Sequence, residues 1–257
     1  MPPLLCLPWD GNGISEAPKR IRTQKELAAI NESTSTLALH YILMDDIELE
    51  YDEGASWTPM GKGGQPFTGS FNGNGKKISK LKVGGNPIEA GLFGYIKSDN
   101  IAVQNLHLVE VDVKDGFYAG AVAGILENGS IQGCSVTGMV STITTEGNAG
   151  GIVGSSSGSS SQNCVALNSN VSGWASYTHR VVGRNNFSTT LQNNYGREGM
   201  NDVTWNDVAL DGLNGQTSTL PHTARRTGGP PPPPGVLVLS GTLKTFGPGI
   251  PTPIYPN

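Results

Sequence analysis

GLFG (91–94), AVAG (121–124), GIVG (151–154) and RVVG (180–183) recur with 30, 30 and 29 residues between their closing glycines Gly94, Gly124, Gly154 and Gly183. Ten or eleven residues behind each closing glycine stands a second matching segment: VQNL with Asn105, IQGC with Cys134, SQNC with Cys164 and LQNN with Asn194. Two anchors in step over four copies mark an internal repeat whose period is too long for one strand and too short for a domain. Each copy must then be a supersecondary unit that buries its apolar face on the next copy.

Between the anchors, LHLVEVDV (106–113) and CSVTGMV (134–140) place their apolar residues two apart, the period of a strand with one buried face. The expected fold class is all-β: a right-handed parallel β-helix, a solenoid of ~30-residue coils with three short strands each and equivalent residues ~4.8 Å apart along the axis. In that geometry the first glycine of each motif makes a bend and the two apolar residues turn inward. The closing glycine is expected to take a φ that other residues avoid. Gly91 and Gly151 open two of the motifs, while Ala121 and Arg180 stand in their place in the others, so the closing glycine carries more of the requirement. Cys134 and Cys164 are stacked inward positions of successive coils. Their spacing falls in the disulfide window of ~4.4–6.8 Å between Cα atoms. Side chains on parallel strands run alongside one another, however, so two buried thiols are expected.

The composition agrees. Thirty-six glycines, 17 prolines and 36% apolar residues in 257 exclude a helical bundle, a coiled coil and a membrane span. A net charge of −4 with 15% charged residues gives no footprint for nucleic acid or membrane. The stretch MPPLLCLP at the amino terminus has no basic n-region and no apolar run of signal length, so export is not encoded in it. Three cysteines, Cys6 among them, make no disulfide framework.

Upstream of the repeats, WTPMGKGGQPFTGSFNGNGKKISKLKV (57–83) completes a pattern that, with GLFG and GIVG, resembles the GLUG-motif repeat proteins. Trp57, Pro59, Gly61, Pro66, Phe67, Gly69, Phe71, Gly73, Asn74 and Gly75 match the W-x-P-x-G and P-F-x-G-x-F-x-G-N-G segments that precede the repeats in that family. The resemblance covers roughly residues 9–216. It implies an extracellular β-helix of a bacterial surface or secreted protein, a module of adhesin-like proteins that is also found in immunoglobulin-cleaving metalloproteases. It implies no chemistry. The chain divides into three regions: an N-terminal cap at 1–56, the repeats at 57–216, and a Pro/Gly-rich tail at 217–257 with five consecutive prolines from Pro230 to Pro234. The tail reads as disordered or as the product of a shifted reading frame. Within the cap, Thr23 with Glu26 forms a capping box, and Leu27, Ala28 and Ile30 give a short helix an apolar stripe to plug the open end of the coils.

No catalytic, metal or cofactor residues are expected. The acidic run Asp45, Asp46, Glu48, Glu50, Asp52 and Glu53 offers hard oxygens, but without the turn glycines of a calcium loop it reads as a solvated strand face. The histidines His40, His107, His179 and His222 are scattered, with no H-E-x-x-H. SSSGSSS (155–161) reads as a solvent turn. The rival reading is a glycan-binding or polysaccharide-degrading β-helix. Such an enzyme needs carboxylates at matching places in neighbouring coils, and Glu110, Asp112, Glu127 and Glu146 share no offset from their glycines. Tyr118, Trp174 and Tyr177 could stack on sugar rings, but their favoured reading is as covers over turns. The expected whole is a non-enzymatic scaffold, a monomeric module of a larger protein, whose partner is a protein or a glycan at a cell surface.

Overall fold

The computed structural model describes residues 10–142, 146–202, 205 and 208–218. The tail and Cys6 lie outside these residues. Strands pair in parallel from coil to coil and form four walls around one axis. One coil runs Tyr118–Gly120, Ala123–Glu127, Ser130–Gln132 and Ser135–Thr142. It has four short strands rather than three because the AVAG motif is itself a bend between the first two. Taken in that order, walls one and two hold four strands each, wall three seven and wall four eight. Wall three begins at Lys19–Ile21 and His40–Leu43, so the stacking starts well before the repeats and passes through the 57–83 segment by way of Ser70–Asn72.

In wall two, Phe93, Ala123, Val153 and Val182 pair in one line. The residues directly after them, Gly94, Gly124, Gly154 and Gly183, therefore form a single column. Their need for glycine is not the one expected, since none of the four has a positive φ. What excludes a side chain is the backbone of the coil before. A Cβ on Gly124 would lie 2.8 Å from Ala90 N and 2.9 Å from Gly94 O, and one on Gly154 would lie 2.7 Å from both Ala119 N and Gly124 O. The opening positions differ: a Cβ on Gly91 would meet Gly120 O at 2.4 Å and one on Gly151 would meet Arg180 O at 2.2 Å, while Ala121 carries its methyl group buried in the core.

The left-handed residues sit at other corners. Between walls three and four they are Asn105, Gly133, Asn163 and Asn193, with φ of 52°, 60°, 54° and 53°. Asparagine and glycine enter that region at least cost. Their amides bridge to the next coil, as in Asn105 N to Gln132 O at 2.9 Å and Gly133 N to Gln162 O at 3.0 Å.

The lumen is aromatic and aliphatic in the early coils, where Phe67 and Phe93 pack with ring centroids 4.8 Å apart and Phe71 meets Phe93 edge-on at 5.8 Å. It turns polar toward the last coils. The wall-three line Tyr41, Phe71, Val103, Ile131 continues as Ser161 and Leu191. The wall-two line Ile96, Leu126 continues as the buried Ser156 and ends on the exposed Asn185. SSSGSSS is thus no solvent turn: it spans two strands, Val153–Ser157 and Ser160–Gln162, and buries Ser155, Ser156, Ser159 and Ser161. The repeat register carries Ser156 and Ser161 into the places that Leu126 and Ile131 fill one coil earlier. Ser159 Oγ is satisfied by Leu126 O at 3.0 Å and Ser157 O at 2.7 Å, whereas Ser161 Oγ is fully buried without a partner among the described residues. Ser161→Ala removes only that hydroxyl and is expected to stabilise by about 1 kcal/mol, roughly 2–4 °C in Tm. A fall in the calorimetric Tm would show that the hydroxyl is bonded in the folded chain.

A short helix, α1 (Gln24–Ala29), follows the first strand of wall three. Both halves of the Thr23–Glu26 capping box are formed. Leu27, Ala29 and Ile30 enter the core while Ala28 faces solvent, so the stripe is shifted by one residue from the expected set. Asn31 anchors the helix exit to the 57–83 segment, donating to Pro59 O at 3.3 Å and accepting from Gly61 N at 3.1 Å.

Candidate interaction surface

The same register that stacks the lumen also ranks the outward side chains. Tyr118 pairs with Asn148 in wall one, and Ala149 with Thr178, so Tyr177 continues the rank of Asn148. In wall two Tyr95, Ile125, Ser155 and Arg184 share a rank. On the last coil the two ranks meet. Arg184 Cζ lies 4.6 Å from the centroid of the Tyr177 ring, a cation–π contact. Tyr177 is also crossed nearly at a right angle by Trp174, with centroids 4.8 Å apart.

The backbone fixes these rings. Trp174 N donates to Gly147 O at 3.0 Å, Tyr177 N to Trp174 O at 2.9 Å and Thr178 Oγ1 to Trp174 O at 2.7 Å, which ties the turn to the coil below and to itself. Trp174 is nevertheless 42% exposed. The Arg184 side chain makes no hydrogen bond or ion pair among the described residues. Beside them, Asn148 is buried and its Nδ2 has no partner. Further along the chain, Phe187 is 85% exposed at φ 47°, the corner that Asn128 and Gly158 occupy in the two preceding coils. A bulky residue there is strained by roughly 1 kcal/mol or more.

The other candidate residues are dispersed along the rod. Cys134 and Cys164 stack, fully buried and as free thiols, in the column that runs from Leu106 to Asn194. Their mutual hydrogen bond, with burial behind it, holds the Cys134 thiol well above its ordinary pKa. Such a thiol is a small apolar filler rather than a nucleophile. The acidic run is drawn into an open groove lined by Glu48, Glu50, Asp52, Glu53, Lys80 and, from a later coil, Glu110 and Asp112. Lys80 pairs with Glu48, and its hydrogen bond and charge lower the Glu48 pKa. Among the described residues no group of three metal-ligating side chains converges.

Sequence spacing had not revealed two His–Ser pairs: His40 Nδ1 lies 2.7 Å from Ser70 Oγ and His107 Nδ1 lies 2.7 Å from Ser135 Oγ. Partners in each pair are one coil apart, the signal that could have found them. Because the same pairing recurs in two different walls, it reads as a strut between coils rather than as a nucleophile and its base. The chemistry the surface supports is recognition by ring faces and a free guanidinium.

No family model matches the chain. It is 30% identical over 159 residues to Halomucin of Haloquadratum walsbyi, an alignment that takes in 54% of this chain. The chain spans about 2% of the length of that relative. Among solved structures it is similar to a protein of Bacteroides ovatus provisionally named an immunoglobulin A1 protease, with a TM-score of 0.51, 18% identity, and coverage of 72% of this chain and 68% of that one. That likeness supports the fold, a parallel β-helix.

Proposed function

We propose that the chain is a GLUG-type β-helix module of a surface or secreted protein, a rigid rod that acts by spacing and binding and not by catalysis. The observation that carries this reading is the parallel coil-on-coil stacking of all four walls. Reactive side chains are spread along the axis, while the rings and the free cation gather on one outer edge. A solenoid stabilised by nearest-neighbour contacts holds such an edge rigid over its whole length. The likeness to a small part of a very long relative fits a module within a larger chain.

Antibody raised against the rod is expected to label intact, unpermeabilised cells of the source organism or to find the rod in the culture fluid. Labelling only after permeabilisation overturns the extracellular reading. The purified rod is expected to release no reducing ends from a panel of polysaccharides and to leave immunoglobulin A1 intact, and turnover in either assay overturns the non-enzymatic reading.

A further inference from the structure

We infer that Trp174, Tyr177 and Arg184 form a binding site for a carboxylate-bearing sugar residue of an acidic glycan. The inference rests on the surface-module reading and supplies its ligand class. Three observations support it. First, the indole of Trp174 is exposed yet held by its backbone bonds and by the Tyr177 ring, so its ordering is complete before any ligand arrives and little entropy is lost on binding. Second, Arg184 is placed by the face of Tyr177 and has no protein acceptor for its N–H groups among the described residues. A guanidinium held in that way presents a planar fork matched to a carboxylate. Third, the indole and the guanidinium both contact the Tyr177 ring, at 4.8 Å and 4.6 Å, so they lie on one contiguous edge.

One apolar face and one oriented cation are the elements with which a small site fixes a pyranose ring that carries an acid group. A neutral sugar would leave the guanidinium unanswered. An acidic peptide would answer the charge but has no ring of its own to lay on the indole. Two open grooves among the described residues lie elsewhere, at the acidic run and beside Gln192 and Leu210.

The test is titration calorimetry of the full chain with trigalacturonic acid, its methyl ester, maltotriose and a glutamate decamer. Saturable binding of trigalacturonic acid is expected, weakened about tenfold by Arg184→Gln and by esterification of the probe, the loss of one charge-assisted hydrogen-bonded pair. Trp174→Ala is expected to abolish it. Arg184→Lys, which keeps the charge and loses the fork, should fall between. Both Arg184 variants are at a partly exposed position, and an unchanged Tm confirms that they report on binding. The inference is overturned if maltotriose binds as tightly, if the glutamate decamer binds as tightly, if the Arg184 variants leave the affinity unchanged, or if trigalacturonic acid does not bind. Antibody labelling of intact cells is indifferent to these variants, so a failed site and a failed surface reading are told apart.

Discussion

Gly154→Val is expected to destabilise the rod by about 3 kcal/mol or more, while Ser157→Val, three residues on, stays within about 0.5 kcal/mol. The reason is the inter-coil spacing. At Gly154 the first carbon of any side chain would stand 2.7 Å from Ala119 N and from Gly124 O, both backbone atoms of the coil below. Neither can yield without prising two coils apart. Because the clash lies at Cβ, Gly154→Ala should cost nearly as much as the valine. A mechanism resting on left-handed φ would instead single out Gly158, whose φ is 60°. There the Cβ would meet the far end of the Asn128 side chain at 2.8 Å, and Asn128 itself fills the equivalent corner one coil earlier. Gly158→Asn is accordingly expected to be close to neutral. Melting temperatures of the four variants decide the matter: at this chain length the gap between Gly154→Val and Ser157→Val should be roughly 6–12 °C. Equal values would remove the close approach of coils as the reason for the glycine column.

That column shows what the sequence discloses and what it withholds. Periodicity alone placed Gly94, Gly124, Gly154 and Gly183 in one line and Cys134 above Cys164, because a solenoid turns sequence distance into spatial stacking. It could not say why glycine is needed, since bend and close approach leave the same letter. The buried serines from Ser155 to Ser161 were illegible for a related reason. Composition marks such a run as solvent-facing, and only the register with Ile96, Leu126 and Ile131 sends it into the lumen. The groove that joins Glu48 and Glu50 to Glu110 and Asp112 is hidden in the sequence because the first two precede the countable repeats. The aromatic edge was half legible: Tyr118, Trp174 and Tyr177 stood out as rings, but Arg184 gained meaning only when wall two brought it over Tyr177.

Arg180 is the residue whose loss should be felt most at the carboxyl end of the rod. In the sequence it is merely a motif with its opening glycine missing. In the structure it occupies the place of Gly91, Ala121 and Gly151 and is 1% exposed. The segment stacked on it is GLNG (212–215), and Val181 and Val182 both donate to Leu213 O just as Ile152 and Val153 donate to Val181 O one coil earlier. The Arg180 guanidinium runs through that end and donates to Gly196 O at 3.2 Å, Arg197 O at 3.1 Å and Gly215 O at 2.8 Å. Those bonds tie the RVVG coil to two later stretches of chain. No carboxylate meets it among the described residues. Loss of solvation draws its pKa down to about 10, which leaves it charged at neutral pH, so neutral acceptors, the three carbonyls and the Thr217 hydroxyl, offset the burial of a cation. Arg180→Ala opens a cavity and strands those acceptors, with an expected loss of about 3 kcal/mol or more. Nearest-neighbour stacking confines the damage. Hydrogen exchange should show protection lost at Val182–Asn186 and Tyr195–Arg197 and retained at Phe93–Lys97. Protection that falls evenly along the rod would mean that the coils unfold as one unit and that Arg180 is no separate lock on its end.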